Sequence, residues 1–261
     1  MNGEVIIMKR TAFILIALFI SGAFLLAEEG MQKKSKDWDS YSKGPLLLQN
    51  NTWGKKSITD YEQSILYNEK TGVIGYEWRW PDKYVDEGNY VKAYPEVIYG
   101  KKPWSPDSTV ASMPELVSSC DRKIDFKLTH ESTGENNIAF DIWITKSKDS
   151  KPEDITGEIM IWIRNNGMHV PPKSDVSKTV TLGGRKYDFM TVGGGGGGSW
   201  RYICFQASPM MDEGVINLKE FLAFLVKEKF VDPKHYVAAI EFGNEVVSGK
   251  GRTLLQKYEI R

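Results

Sequence analysis

Gly157-Glu158-Ile159-Met160-Ile161-Trp162-Ile163 is the stretch that decides how this chain is read. Its isoleucines fall at every second residue, so in a strand they share one face. A row of β-branched side chains on a single face marks a strand lying on a core. The opposite face then carries Glu158, Met160 and Trp162. A carboxylate in line with a tryptophan is an unusual choice for plain surface and suits a cleft that binds sugar. By pattern alone, an edge-exposed Glu158 with no chemical role stands equally open.

Two further segments behave alike. Ile138, Phe140, Ile142 and Ile144 alternate with Asp141 and Trp143. In Ile240-Glu241-Phe242-Gly243-Asn244-Glu245-Val246, the residues Glu241, Gly243 and Glu245 share a face. Three strands thus each present an acid to what reads as one concave surface. Tryptophan stacks on pyranose faces, and two carboxylates held across a sugar are the equipment for glycoside hydrolysis.

Strand-length segments fill the rest of the chain, at 73–80, 96–99, 123–130, 178–182, 186–192, 200–207, 236–247 and 253–260. One segment breaks the pattern. Leu218, Phe221, Leu222, Leu225 and Val226 have helical spacing, behind Asn217 as N-cap with Glu220 at N3, a capping-box variant. Many strands and one amphipathic helix predict an all-β domain, a β-sandwich or jelly roll. No internal repeat or interdomain linker interrupts it.

Six glycines at 193–198 satisfy a phosphate-loop pattern only formally, because no Lys-Ser pair and no helix follow. They read as a hairpin loop between 186–192 and 200–207. His130, His169 and His235 are isolated, no His-Glu-x-x-His pair occurs, and no Gly-x-Ser-x-Gly offers a serine nucleophile. Metal and cofactor are therefore not expected. Cys120 and Cys204 are the only cysteines, too few for a disulfide framework, and Cys204 reads as a small buried residue.

At the N-terminus, Lys9 and Arg10 precede an apolar run over 12–27. That is a signal-peptide pattern, with cleavage expected after Ala27, Met8 as an alternative start and an uncleaved anchor as an alternative fate. The expectation is a signal peptide at 1–27, a flexible polar leader at 28–43 and one catalytic domain at 44–261. The mature protein is then secreted or periplasmic, with no stable membrane insertion. Lys and Arg total 34 against 34 Asp and Glu, so no basic field points to nucleic acid as a partner. Aromatics make up 12% of the chain with 8 Trp, enough to line a cleft as well as fill a core.

At these residues the chain resembles glycoside hydrolase family 12, the single-domain endoglucanases and xyloglucanases. Asn50-Asn51-Thr52-Trp53-Gly54 is similar to the family's Asn-x-Trp-Gly strand. Ala93-Tyr94-Pro95-Glu96 and Lys102-Pro103-Trp104 resemble its Tyr-Pro-Glu and Lys-Pro-Trp segments. Phe140-Asp141-Ile142-Trp143, the Glu158 strand, the helix and the Glu245 segment follow in the family's order.

The resemblance implies a two-sheet antiparallel jelly roll with a concave cleft, working as a monomer on β-1,4-glucan or xyloglucan without a cofactor. It implies that Glu158 is the nucleophile of a retaining double displacement and Glu245 the acid/base. Asp141 would hydrogen-bond the nucleophile, with Met160 beside it. Asn51 and Trp53 would hold a sugar on the non-reducing side; Trp104, Trp143 and Trp162 complete the expected binding set. Repulsion from an ionised Glu158 would keep Glu245 protonated, giving a mildly acidic activity optimum. Val247 and Met190 depart from the family pattern, which favours aromatics there. An endo-β-1,4-glucanase is the leading reading, a xyloglucan-specific endohydrolase the second, and a non-catalytic carbohydrate-binding jelly roll the third.

Overall fold

The period-two isoleucines pack inward in a computed structural model that describes residues 30–82, 90–169, 176–194 and 199–261. The larger sheet runs from β11 (Val176–Leu182) through β12 (Arg185–Val192), β13 (Arg201–Ser208), β10 (Ile155–Asn166) and β9 (Asn136–Thr145). It continues through β15 (Tyr236–Gly243), β6 (Glu96–Gly100) and β3 (Leu46–Gln49) to β2 (Ser40–Lys43), with β7 (Glu115–Leu116) also on β15. The smaller sheet has the order β1 (Gln32–Lys34), β4 (Glu62–Tyr67), β5 (Ile74–Trp80), β16 (Gly249–Ile260), β8 (Lys123–Ser132), β14 (Glu213–Asn217). Pairing is antiparallel throughout, except that β13 runs parallel to β10 with Glu158 opposite Tyr202. The two-sheet all-β sandwich is the one that the alternation predicts.

Between the sheets lies the main core. Ile138, Phe140, Ile142 and Ile144 of β9 join Ile159, Ile161 and Ile163 of β10 there, against Ile124, Phe126 and Leu128 of β8. The Phe140 ring lies tilted 4.6 Å from Phe242 and edge-on 5.7 Å from Phe126. Truncating such a buried Phe to Ala costs about 3–5 kcal/mol. A register shift between Val237 and Ala239 in β15 turns Ala239 and Glu241 to the face that Trp143 and Asp141 share on β9.

Two local expectations are corrected. Residues 30–43 do not form a free leader: β1 pairs with β4 and β2 with β3. Backbone pairing outweighs their polar composition. The helix, α1 (Leu218–Lys227), buries Leu218, Phe221, Leu222 and Leu225 as its spacing predicts, but Asn217 makes no capping bond to the backbone. Its amide donates to Glu220 Oε1 at 2.8 Å instead, while Glu220 Oε2 accepts from the Gly183 amide. β9 itself is buried along its whole length, on both faces. Cys120 and Cys204 are free and buried. The signal segment at 1–27 and residues 195–198 of the glycine run lie outside the described residues; β12 and β13 pair on either side of that run.

Candidate active site

The outer face of the larger sheet forms a cleft of about 750 Å³. Its floor follows from strand register. Glu158 on β10 lies opposite Trp143 on β9, and Met160 lies opposite Asp141. Asp141 in turn faces Glu241 on β15. Directly paired residues share a face, and diagonal neighbours stay within side-chain reach. Glu158 and Asp141 are such diagonal neighbours.

Glu245 enters from the segment beyond β15, tied down by Asn137. The Glu245 amide donates to Asn137 Oδ1 at 3.0 Å, and the Asn137 side-chain amide donates back to Glu245 Oε2. Gly243 is required two residues earlier: a Cβ there would sit 2.4 Å from the Pro95 carbonyl oxygen and 3.0 Å from the Tyr94 ring. Tyr94 fills that space and donates to the Ala139 carbonyl at 3.0 Å.

Burial dominates the electrostatics. It raises the Glu158 carboxyl to about 8, with the Glu245 charge adding to the shift and the Trp200 hydrogen bond opposing it. Burial raises Glu245 to about 7, opposed by the Asn137 hydrogen bond. Asp141 is held far above the usual carboxylate range by burial first and by Glu158 second, so it keeps its proton.

A second charged group adjoins this one. Lys102 Nζ donates to Glu96 Oε1 at 2.7 Å and to Glu241 Oε2 at 3.0 Å. Burial, then the neighbouring Glu96, pushes Glu241 well up against the opposing pull of Lys102, so Glu241 stays neutral. Glu96 Oε1 also accepts from Asn51 Nδ2 at 2.6 Å, and Asn51 Oδ1 accepts from the Trp53 amide at 3.0 Å.

Glu158, Glu245, Asp141, Asn51, Trp53, Trp104, Trp143 and Met160 all line the cleft. Trp162 does not. It shares the face of Glu158 and Met160, but Met168, Met190, Tyr202 and Val247 pack around it, and Tyr90 and Val91 pack against that cluster. It is 2% exposed and belongs to a secondary core.

Two lining residues were not singled out in the sequence. Trp38, half exposed like Trp53 and Trp104, reaches the cleft from the segment that the sequence assigns to the leader. Trp200 donates from Nε1 to Glu158 Oε2 at 2.7 Å. Their sequence signal was residue type alone for Trp38, in the polar stretch 28–43, and for Trp200 its place at the head of the strand segment 200–207. Among the described residues no group of His, Cys, Asp and Glu could hold a metal ion.

A jelly roll whose cleft is walled with tryptophan and floored with buried, proton-sharing carboxyls defines a carbohydrate-cleaving enzyme of the paired-acid kind. Residues 44–260 match the profile described as Glycosyl hydrolase family 12. The chain belongs to that family, and is a glycoside hydrolase. It is 29% identical over 219 residues to Endoglucanase S of Pectobacterium parmentieri, covering 82% of this chain and 80% of that one. It is 24% identical to the xyloglucan-specific endo-beta-1,4-glucanase A of Emericella nidulans, over 83% and 85% of the two chains. Among solved structures, the ligand-bound family 12 xyloglucanase of Bacillus licheniformis superposes with a TM-score of 0.77 at 26% identity, covering 88% and 98%. Endoglucanase cel12A of Rhodothermus marinus gives 0.73, also at 26% identity, covering 88% and 97%.

Proposed function

We propose that the protein is an exported endo-β-1,4-glucanase that cuts internal bonds of a glucan chain with retention of anomeric configuration. The observation that carries this reading is that Glu158, buried, and Glu245, partly buried, both raised in proton affinity, open onto one tryptophan-walled cleft. Glu158 attacks the anomeric carbon while Glu245 gives its proton to the leaving oxygen. Glu245 then takes a proton from water, which releases the sugar from Glu158.

Proton placement needs an argument, because burial alone ranks Glu158 above Glu245. The neutral acid beside Glu158 decides it. Glu158 accepts from the Trp200 indole and the Glu245 side chain from the Asn137 amide, while the protonated Asp141 stands diagonal to Glu158 across β9 and β10. A neutral acid within reach favours the charged form of its neighbour, so the single proton of the pair rests on Glu245.

Trp38, Trp53, Trp104 and Trp143 line the cleft and supply indole surface for sugar, and Asn51 fixes the Trp53 backbone. Export follows from the signal pattern at 1–27 and from a polymeric substrate that cannot cross a membrane.

A xyloglucan-specific activity is the second reading. Met190 and Val247 lie buried in the Trp162 cluster, so no aromatic from those positions narrows the cleft against a branched chain. Reducing-end release from xyloglucan and from mixed-linkage glucan separates the two. Glu158→Gln tests the core of the proposal: hydrolysis falls by at least about 10²–10⁴-fold while sugar binding persists. Unchanged hydrolysis in that variant overturns it.

A further inference from the structure

Trp200 stands at the start of β13, two residues before Tyr202, the parallel partner of Glu158. Its ring meets Trp143 edge-on at 5.7 Å and 82°, and Trp143 meets Trp104 at 4.9 Å and 84°. Three indoles therefore run from the cleft wall to the carboxyl, and the last is braced through its ring while its N–H reaches Glu158 Oε2 at 2.7 Å. An indole N–H only donates. Oε2 is thereby fixed as an acceptor, which leaves Oε1 as the oxygen free to react.

We propose that Trp200 is a positioning residue for the nucleophile: its indole N–H pins Oε2 of Glu158, aims Oε1 at the anomeric carbon, and holds the carboxylate as it departs in the second step. This inference rests on Glu158 being the nucleophile.

The two steps draw on that bond unequally. In the first, Oε1 bonds to the anomeric carbon, the bond to the leaving sugar breaks, and the Glu245 proton passes to the departing oxygen. Glu158 is then a neutral ester. In the second, a water oxygen bonds to the anomeric carbon, one water proton goes to Glu245, and the ester bond breaks with its electron pair returning to Glu158. Negative charge thus reappears on Glu158 in the second transition state. A hydrogen bond to a charged acceptor is about twice as strong as one to a neutral acceptor. Loss of the Trp200 donor slows sugar release more than sugar attachment.

Trp200→Phe keeps a ring against Trp143 and deletes the donor. With an aryl β-cellobioside, kcat falls by about 10- to 100-fold, the range for one hydrogen bond to a charged group. A burst of aryl alcohol equal to the enzyme concentration precedes the slow phase, KM falls with kcat, and the acid limb of the pH profile moves up. Trp200→His, which retains a ring N–H, recovers part of the rate. A thermal melt of each variant reports folding. In the wild type, the Trp200 indole N–H resonance shifts as Glu158 titrates and again when a 2-deoxy-2-fluoro-glycoside occupies Glu158.

Wild-type kcat in Trp200→Phe overturns the proposal. So does a lowered kcat with no burst and an unmoved acid limb, which marks a packing role. If the fluoro-glycoside labels Glu158 and Trp200→Phe still behaves as wild type, the inference alone fails. Labelling of a different residue removes the nucleophile assignment beneath it.

Discussion

Replacing Lys102 with methionine removes the cation that bridges two carboxyls while keeping most of the aliphatic stem. Glu96 and Glu241 have side chains 0% and 1% exposed, and Lys102 only 14%, so solvent offers little compensation. With Glu241 neutral, one buried carboxylate is left without its counter-ion. An unpaired buried charge of that kind costs about 3–5 kcal/mol. The chain can escape the penalty by binding one more proton, at about 1.4 kcal/mol for each pH unit above a free carboxyl near 4.3.

The cheaper route sets the loss: about 1 kcal/mol at pH 5, rising to about 3–5 kcal/mol by pH 8. The sign follows from linkage. In the variant the folded state holds a proton that the unfolded state releases, so stability is greatest at low pH and drains away as pH rises. For a domain of this size 1 kcal/mol is about 2–4 °C, giving a Tm deficit of about 2–4 °C at pH 5 and about 10 °C at pH 8. Calorimetry of wild type and Lys102→Met across that range is the assay. An equal deficit at both ends, or a deficit below about 2 °C at pH 8, refutes the reasoning.

The Glu158 and Glu245 values, about 8 and about 7, put the singly protonated pair near neutrality, so kcat/KM should be bell-shaped with limbs there. That moves the optimum up from the mildly acidic range that repulsion alone suggests, and a maximum near pH 4 would contradict it. Both carboxyls bind protons more tightly when folded, so they destabilise the fold as pH rises through these values. Glu158→Gln should accordingly melt higher than wild type at pH 8.5, and an unchanged or lower Tm counts against the burial shift. Trp53→Ala should raise KM by about 2- to 10-fold, the equivalent of roughly 0.5–1.5 kcal/mol of stacking, whereas Trp162→Phe should leave KM alone; equal effects would return Trp162 to the cleft.

Period two made the core legible. Ile138 to Ile144 and Ile159 to Ile163 announced both the sheet and the face that carries Asp141, Trp143, Glu158 and Met160. The same rule put Trp162 on that face correctly, but alternation cannot say what roofs a residue, and here Tyr90 and Val91 pack over its cluster. Trp38 went unseen because charge and polarity at 28–43 suggest a free leader, while β1 finds its partner β4 far along the chain and β2 turns back on β3 in a hairpin whose strands are short. Trp200 depends on the parallel pairing of β10 and β13, a contact across some forty residues that no local pattern encodes. The Lys102, Glu96 and Glu241 group was half visible: each residue fell in a quoted segment, yet only register between β6 and β15 shows that they meet.

The central claim is that Glu158 and Glu245 act on opposite sides of a single sugar ring, one as nucleophile and one as proton carrier. Proton NMR of the first products from a cello-oligosaccharide, taken before mutarotation, addresses it most directly. Two successive displacements at the anomeric carbon give the β-anomer first. Initial appearance of the α-anomer means a single displacement by water, and would contradict the account.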